Sequence, residues 1–238
     1  ERQKMELGRT QKLEIVRMVD FGAYLGTEEE QVLLPKKQVP EGANVGDEVK
    51  VFIYRDSQDR LIATVNKPLV ELDETAVLTV KEVSKNGAFL DWGLEKDLFL
   101  PYKEQTVSIK SGDKVLVGVY LDKSNRLCAT MKAYKFLKCT STYEPDDVVT
   151  GTVYNYNPEY GVFVAVDNKY HGLVQKKELT TRLEIGQQIQ AIHKRIASHF
   201  HKFWINTDPF HFRTVIKRTA SYFHNVCRKL YLFDIFFR

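Results

Sequence analysis

Residues 48–55 alternate without a break, with Val49, Val51 and Ile53 on one side and charged residues between them. A period of two predicts a strand with one buried face. The same reading extends on both sides. Lys12–Val19 is rich in β-formers and partly alternates, Gly22 punctuates a turn, and Ala23–Gly26 starts a second strand. Glu28, Glu29 and Glu30 form a solvated loop before a short strand at Gln31–Pro35, and a polar loop with Pro40 and Gly42 leads to Gly46. Arg60–Val65 closes the unit after the turn Asp56–Asp59. Five short strands are predicted, with no amphipathic helix.

The pattern then recurs. Phe21-Gly22-Ala23-Tyr24-Leu25 returns as Asn86-Gly87-Ala88-Phe89-Leu90 and as Tyr160-Gly161-Val162-Phe163-Val164. A second mark follows each copy at Gly46, Gly112 and Gly186, at spacings of 24, 25 and 25 residues. Two linked marks repeated three times indicate an internal repeat. Strands of the second copy are predicted at Ala76–Ser84, Ala88–Trp92, Asp97–Leu100, Lys114–Leu121 and Arg126–Lys132. Those of the third are predicted at Val148–Tyr154, Tyr160–Val166, Tyr170–Val174 and from Gln188. After Ile192 no alternating strand or hairpin turn follows, so strand five of the third copy reads as missing or replaced. A five-strand unit with a Gly-kinked second strand describes a small Greek-key barrel of the OB type. The fold expectation is all-β. Two complete five-stranded barrels (5–68 and 71–137) precede an incomplete third (143–196) and an irregular or helical basic tail (197–238).

Charge separates the tail from the body. Residues 191–238 hold nine Lys/Arg against two acids, a net +7, so the overall +4 leaves −3 on residues 1–190. Eight of the 14 phenylalanines lie between Phe200 and Phe237. Apolar residues at Ile216, Ala220, Phe223, Val226, Cys227, Leu230 and Phe233 recur at spacings of three and four, which predicts an amphipathic helix over about 213–235. Such a helix, with no complete barrel to cover, is expected to be an aggregation liability and the first target of protease.

Other classes find little support. No run of about 18 apolar residues suggests a membrane span. The N-terminal residues lack the apolar core of a signal peptide, and Met5 reads as a start. Cys128, Cys139 and Cys227 form no even framework, which suits a reducing cytoplasm. There is no Walker P-loop, HExxH or GxSxG, so no enzyme is expected. His199, His201, His224 and Cys227 lack a second spaced pair, so neither a metal nor a cofactor is expected.

The residues around Tyr160-Gly161-Val162-Phe163-Val164, Gly172-Leu173-Val174, Lys176–Leu179 and Gly186 resemble the S1 RNA-binding domain. The paired hairpins and the arrangement around Phe21–Leu25 and Val32–Lys36 are similar to the conserved virulence factor B family, bacterial RNA-binding proteins of three S1 units and a C-terminal winged helix. Residues 193–238 do not resemble a winged helix. The resemblance implies single-stranded RNA stacked on aromatics of strands two and three, with basic residues holding its backbone.

Candidates in the third repeat are Tyr160, Phe163, His171, Lys176 and Lys177. The first repeat supplies Phe21, Tyr24, Lys36, Lys37 and Arg60. The second supplies Phe89 and Arg126, with Trp92 beside them. The closer motif match makes the third repeat the expected best platform. Lys36, Lys37, Lys176 and Lys177 are expected to touch phosphate rather than bases. Against this stands the reading of the aromatics as core and of Arg60 and Arg126 as partners of Asp56 and Asp122. In that rival case the chain is a scaffold docking on a ribosome or RNA polymerase.

Overall fold

The computed structural model describes residues 5–139, 141–144, 146–179, 181–196 and 200–204. Among them the only helical segments are single 3-10 turns, and the rest of the regular structure is strand. The chain divides into two compact units, residues 1–136 and 137–238.

The first unit holds two barrels. Barrel 1 uses β1 (Thr10–Val19), β2 (Gly22–Gly26), β3 (Gln31–Pro35), β4 (Glu48–Arg55) and β5 (Leu61–Thr64). They close in the order β1-β2-β3-β5-β4, the last gap being sealed by the parallel pair Leu33–Ile62. Leu13, Ile15, Leu25, Val32, Leu34, Val49, Val51 and Ile53 fill the interior. These are the alternate positions that the period of two predicts. Barrel 2 repeats the plan with β6 (Thr75–Ser84), β7 (Gly87–Asp91), β8 (Leu98–Pro101), β9 (Lys114–Leu121) and β10 (Leu127–Thr130), sealed by Cys128–Phe99.

Trp92 joins the two barrels. It is only 3% exposed and meets the barrel 1 rings Phe52 and Tyr54 edge-on, at centroid distances of 5.7 and 6.4 Å. Its indole N–H donates to the Lys96 carbonyl at 2.6 Å, which satisfies the polar end of the buried ring. The Lys96 ammonium in turn donates to the Asp56 carbonyl, Arg55 to the Asn125 carbonyl, and Arg9 pairs with Asp73. Its place in the sequence suggests a neighbour of Phe89 on the binding side, but Trp92 is instead a buried inter-barrel anchor.

The second unit contains β11 (Val148–Asn157), β12 (Gly161–Val166), β13 (Tyr170–Gln175), β14 (Gln188–Ile196) and β15 (Phe200–Trp204), ordered β13-β12-β11-β14-β15. A valine-rich core of Val149, Val153, Val162, Val164, Val166 and Val174 lies beneath. This corrects the expectation of a missing fifth strand. β15 pairs antiparallel with β14, from Ile192–Trp204 to Ile196–Phe200. Main-chain hydrogen bonds make that pairing, so it does not require the apolar alternation or the glycine turn that marked the earlier hairpins. Among the described residues no hydrogen-bonded pair joins β13 to β15, although the two strands lie side by side as the closing strands of the barrels do. The helix predicted over 213–235 lies outside the described residues.

Candidate nucleic-acid interface

Each five-stranded unit builds the same local constellation, and one close approach sets it. At Gly22, Gly87 and Gly161 an added Cβ would sit 2.1, 2.3 and 2.1 Å from the carbonyl oxygens of Leu34, Leu100 and Val174. Only glycine lets the second and third strands come this near. That approach brings the start of the 3-10 turn after strand three onto the residue preceding the glycine. The backbone N–H of Lys36 donates to the Phe21 carbonyl at 2.9 Å, Tyr102 to Asn86 at 3.0 Å, and Lys176 to Tyr160 at 3.1 Å. Barrel 1 and the sheet of the second unit thereby set a lysine beside an aromatic residue. Barrel 2 sets Tyr102, 70% exposed, beside Asn86.

The first strand of every unit carries a bulge at one equivalent place, between Ile15 and Arg17, Val80 and Glu82, and Val153 and Asn155. A bulge inserts an unpaired residue and re-aims the side chains that follow. The residue after it faces the ring of strand two: Arg17 opposite Tyr24, Glu82 opposite Phe89, and Asn155 opposite Phe163. The register shift lies on the strand before the glycine-bearing one, so alternation along the chain does not mark Arg17 as a site residue.

In barrel 1 the Arg17 guanidinium lies 4.5 Å from the centroid of the half-buried Tyr24 ring. Phe21, 57% exposed, meets Tyr24 edge-on at 6.4 Å. Lys36 and Lys37 are both exposed on the adjoining turn. Among the described residues neither Arg17, Lys36 nor Lys37 has an ion pair. Arg60 differs. It sits 2.7 Å from Asp56 across its own hairpin.

In barrel 2 Phe89 stacks at a tilt on Phe99, 5.3 Å away. Three cations of this barrel are ion-paired, Lys81–Asp97 at 2.7 Å, Arg126–Asp122 at 3.2 Å and Lys132–Glu104 at 3.4 Å, while the exposed Lys85 and Lys103 have no ion pair among the described residues. Burial, with the Glu104 carboxylate adding to it, pushes the Tyr120 phenol up to about 12. Burial likewise raises the Cys128 thiol to about 11, so this group opposite Phe99 behaves as a small apolar side chain at neutral pH.

In the second unit Phe163 departs from the expected outer platform. It is 6% exposed and lies against the buried Tyr154 ring at 6.2 Å. The reason is that every residue of β12 is buried, so neither face of that strand opens to solvent. His171 is half-buried and shares a 3.2 Å hydrogen bond with the Tyr154 hydroxyl. Tyr160 is half-buried, while Lys176 and Lys177 are exposed, the Lys176 ammonium donating to the Pro158 carbonyl at 3.2 Å. Tyr156, 51% exposed just beyond the bulge, is an open ring that the motif did not flag. A bulge displaces the alternation, and only its position reveals such a residue.

The chain is similar to known proteins over most of its length. The S1 domain model matches residues 7–66 and 74–132, and the S1 RNA binding domain model matches residues 142–199. The chain belongs to the S1-domain family. Its relatives place it with the conserved virulence factor B proteins. It is 30% identical to the uncharacterized protein YitL of Bacillus subtilis over 196 residues, 78% of this chain and 65% of that protein. It is 26% identical to conserved virulence factor B of Staphylococcus aureus over 171 residues, 68% of this chain and 56% of that protein. The matched region therefore spans less than two thirds of either relative's length. Among solved structures, a multidomain protein with nucleic acid binding domains from Streptococcus pneumoniae shares the fold. Its TM-score is 0.56 at 19% identity, covering 94% of this chain and 81% of that one. Among the described residues no helix is long and apolar enough to cross a membrane, and no cluster of His, Cys, Asp and Glu could hold a metal.

Proposed function

We propose that this S1-domain protein binds single-stranded RNA in the bacterial cytoplasm and regulates gene expression through that binding, without being an enzyme. The observation that carries the reading is the repeated juxtaposition of an aromatic residue and an exposed lysine at the turn after strand three, Phe21 with Lys36 and Tyr160 with Lys176. A ring that accepts a base beside an ammonium that accepts a phosphate is the minimal unit of single-strand binding. Single strands suit it because their bases can leave the helix stack. The bulk charge of −3 on residues 1–190 is the point that favours a scaffold, and against it stand the local cations Arg17, over the Tyr24 ring, and Lys36 and Lys37, exposed on the turn after strand three.

The test is binding of a single-stranded RNA across a salt series. Affinity should fall steeply with salt. Replacing Lys36, Lys37, Lys176 and Lys177 by Gln should flatten the slope by about 0.7 for each phosphate that is no longer neutralised, and weaken all RNA sequences alike. A salt-independent interaction, or none, would instead favour a scaffold that docks on a ribosome or RNA polymerase through protein contacts.

A further inference from the structure

The three units place different charges at one structural position. The residue following the first-strand bulge and facing the strand-two ring is Arg17 in barrel 1, Glu82 in barrel 2 and Asn155 in the second unit. We infer that this position decides which barrel engages the nucleic acid. In this division Arg17 makes barrel 1 a nucleotide subsite, and Glu82 excludes the phosphate backbone from barrel 2. The inference rests on the RNA-binding reading above and adds to it a specificity-determining residue and a division of labour.

The geometry supports each half. In barrel 1 the guanidinium stands 4.5 Å from the Tyr24 centroid, so charge and ring are already stacked. Guanidinium planes and aromatic rings both accept a base face, and the same guanidinium reaches phosphate oxygens. Phe21 offers an exposed ring beside this pair, and the Lys36 side chain starts from the residue bonded to it. With Lys37 on the same turn, three exposed cations without ion pairs among the described residues belong to this end of barrel 1, of which Arg17 touches a ring. No acid is set against the ring at the facing position. A single unpaired nucleotide has the matching chemistry, a flat base for the rings and an anion for the guanidinium.

In barrel 2 the same register position holds a carboxylate. Glu82 is exposed and faces Phe89. A strand laid across Phe89 as it would be across Tyr24 brings its phosphate to that carboxylate. Lys81, Arg126 and Lys132 are committed to Asp97, Asp122 and Glu104, and the exposed Lys85 and Lys103, without an ion pair among the described residues, do not hold the position that faces the ring. The residue preceding the glycine is Asn86, and the exposed ring beside it comes instead from Tyr102 on the turn after strand three, where barrel 1 has Lys36. Barrel 2 keeps instead the Trp92 contact, which holds barrel 1 in place.

Charge reversal in the full chain tests this, with a uridine oligonucleotide as probe and a thymidine deoxyoligonucleotide of equal length as the second arm. Arg17→Glu should weaken uridine binding by about tenfold or more. Arg17→Gln should lower the salt slope by about 0.7, the equivalent of one phosphate. Tyr24→Ala should cost roughly 5- to 150-fold, the span of one base stack. Glu82→Arg should strengthen binding severalfold. Thermal melts verify that each variant is folded, and Arg17 and Glu82, both exposed, tolerate replacement. If the parent protein binds and either reversal leaves its affinity within about twofold, this assignment is overturned while the RNA-binding reading stands. If the parent binds neither oligonucleotide, both fail. Equal weakening in both arms on Arg17→Glu supports a subsite for the shared base and phosphate, whereas weakening confined to thymidine would overturn the RNA assignment.

Discussion

Single residues here take their roles from their partners. Arg60 and Arg126 look alike in sequence to Arg17, yet each faces an aspartate of its own hairpin, Asp56 and Asp122. Burial works upward on the Asp56 carboxyl, but hydrogen bonds from the Arg60 side chain and the Arg60 and Gln58 backbone outweigh it and hold it below its usual range. Asp122 is likewise pushed up by burial but held down overall, by backbone donors from Arg126 and Ser124 and by the Arg126 charge. A depressed folded-state pKa means that the unfolded chain binds the proton more readily. The stability contributed is therefore present above the ordinary carboxylate pKa of about 3.9 and is lost as pH falls through the lower folded value. Asp56→Asn should accordingly melt below the parent protein at neutral pH, with the difference shrinking under acid. Melts recorded across a pH series check this, and a difference that grew on acidification would contradict it.

At the scale of elements the bulge and the glycine act together. The glycine draws strands two and three close enough to seat the following turn, and the bulge on strand one aims a chosen side chain at the ring between them. Gly22→Ala inserts a carbon 2.1 Å from the Leu34 carbonyl oxygen, a backbone atom with little room to move. The substitution should destabilise the first unit by more than about 1 kcal/mol, measured by urea denaturation, and should also weaken RNA binding by displacing Lys36 from Phe21. Stability near that of the parent would mean that the strands separate without cost and that the approach does not set the site.

At the scale of the whole molecule, the two barrels of residues 1–136 act as one body because aromatic surface is buried between them. Trp92, Phe52 and Tyr54 supply that contact, and Lys96 and Arg55 bond across its rim. Trp92→Ala should cost about 3–5 kcal/mol, the usual range for deleting a buried aromatic. It should also separate the unfolding of the barrels into two transitions, seen by calorimetry. A single transition with an unchanged midpoint would show that the barrels are joined by other contacts. The second unit has its own valine core and keeps its fifth strand by main-chain pairing, although its composition breaks with the repeats.

The sequence by itself determined the repeats, the strand order and the all-β fold. A period of two and a glycine at a matched interval are local signals, and the barrel follows from them. It also placed the candidates Phe21, Lys36, Tyr160 and Lys176, because they recur in equivalent places. Tertiary structure alone decided which of them remain open. Burial of Phe163 depends on what covers both faces of β12, and burial of Trp92 depends on the neighbouring barrel. The role of Arg17 depends on a bulge that shifts register without leaving a mark in the hydrophobic pattern. Each of these is a contact between residues far apart in the chain, and a periodicity read along one strand carries no record of its neighbours.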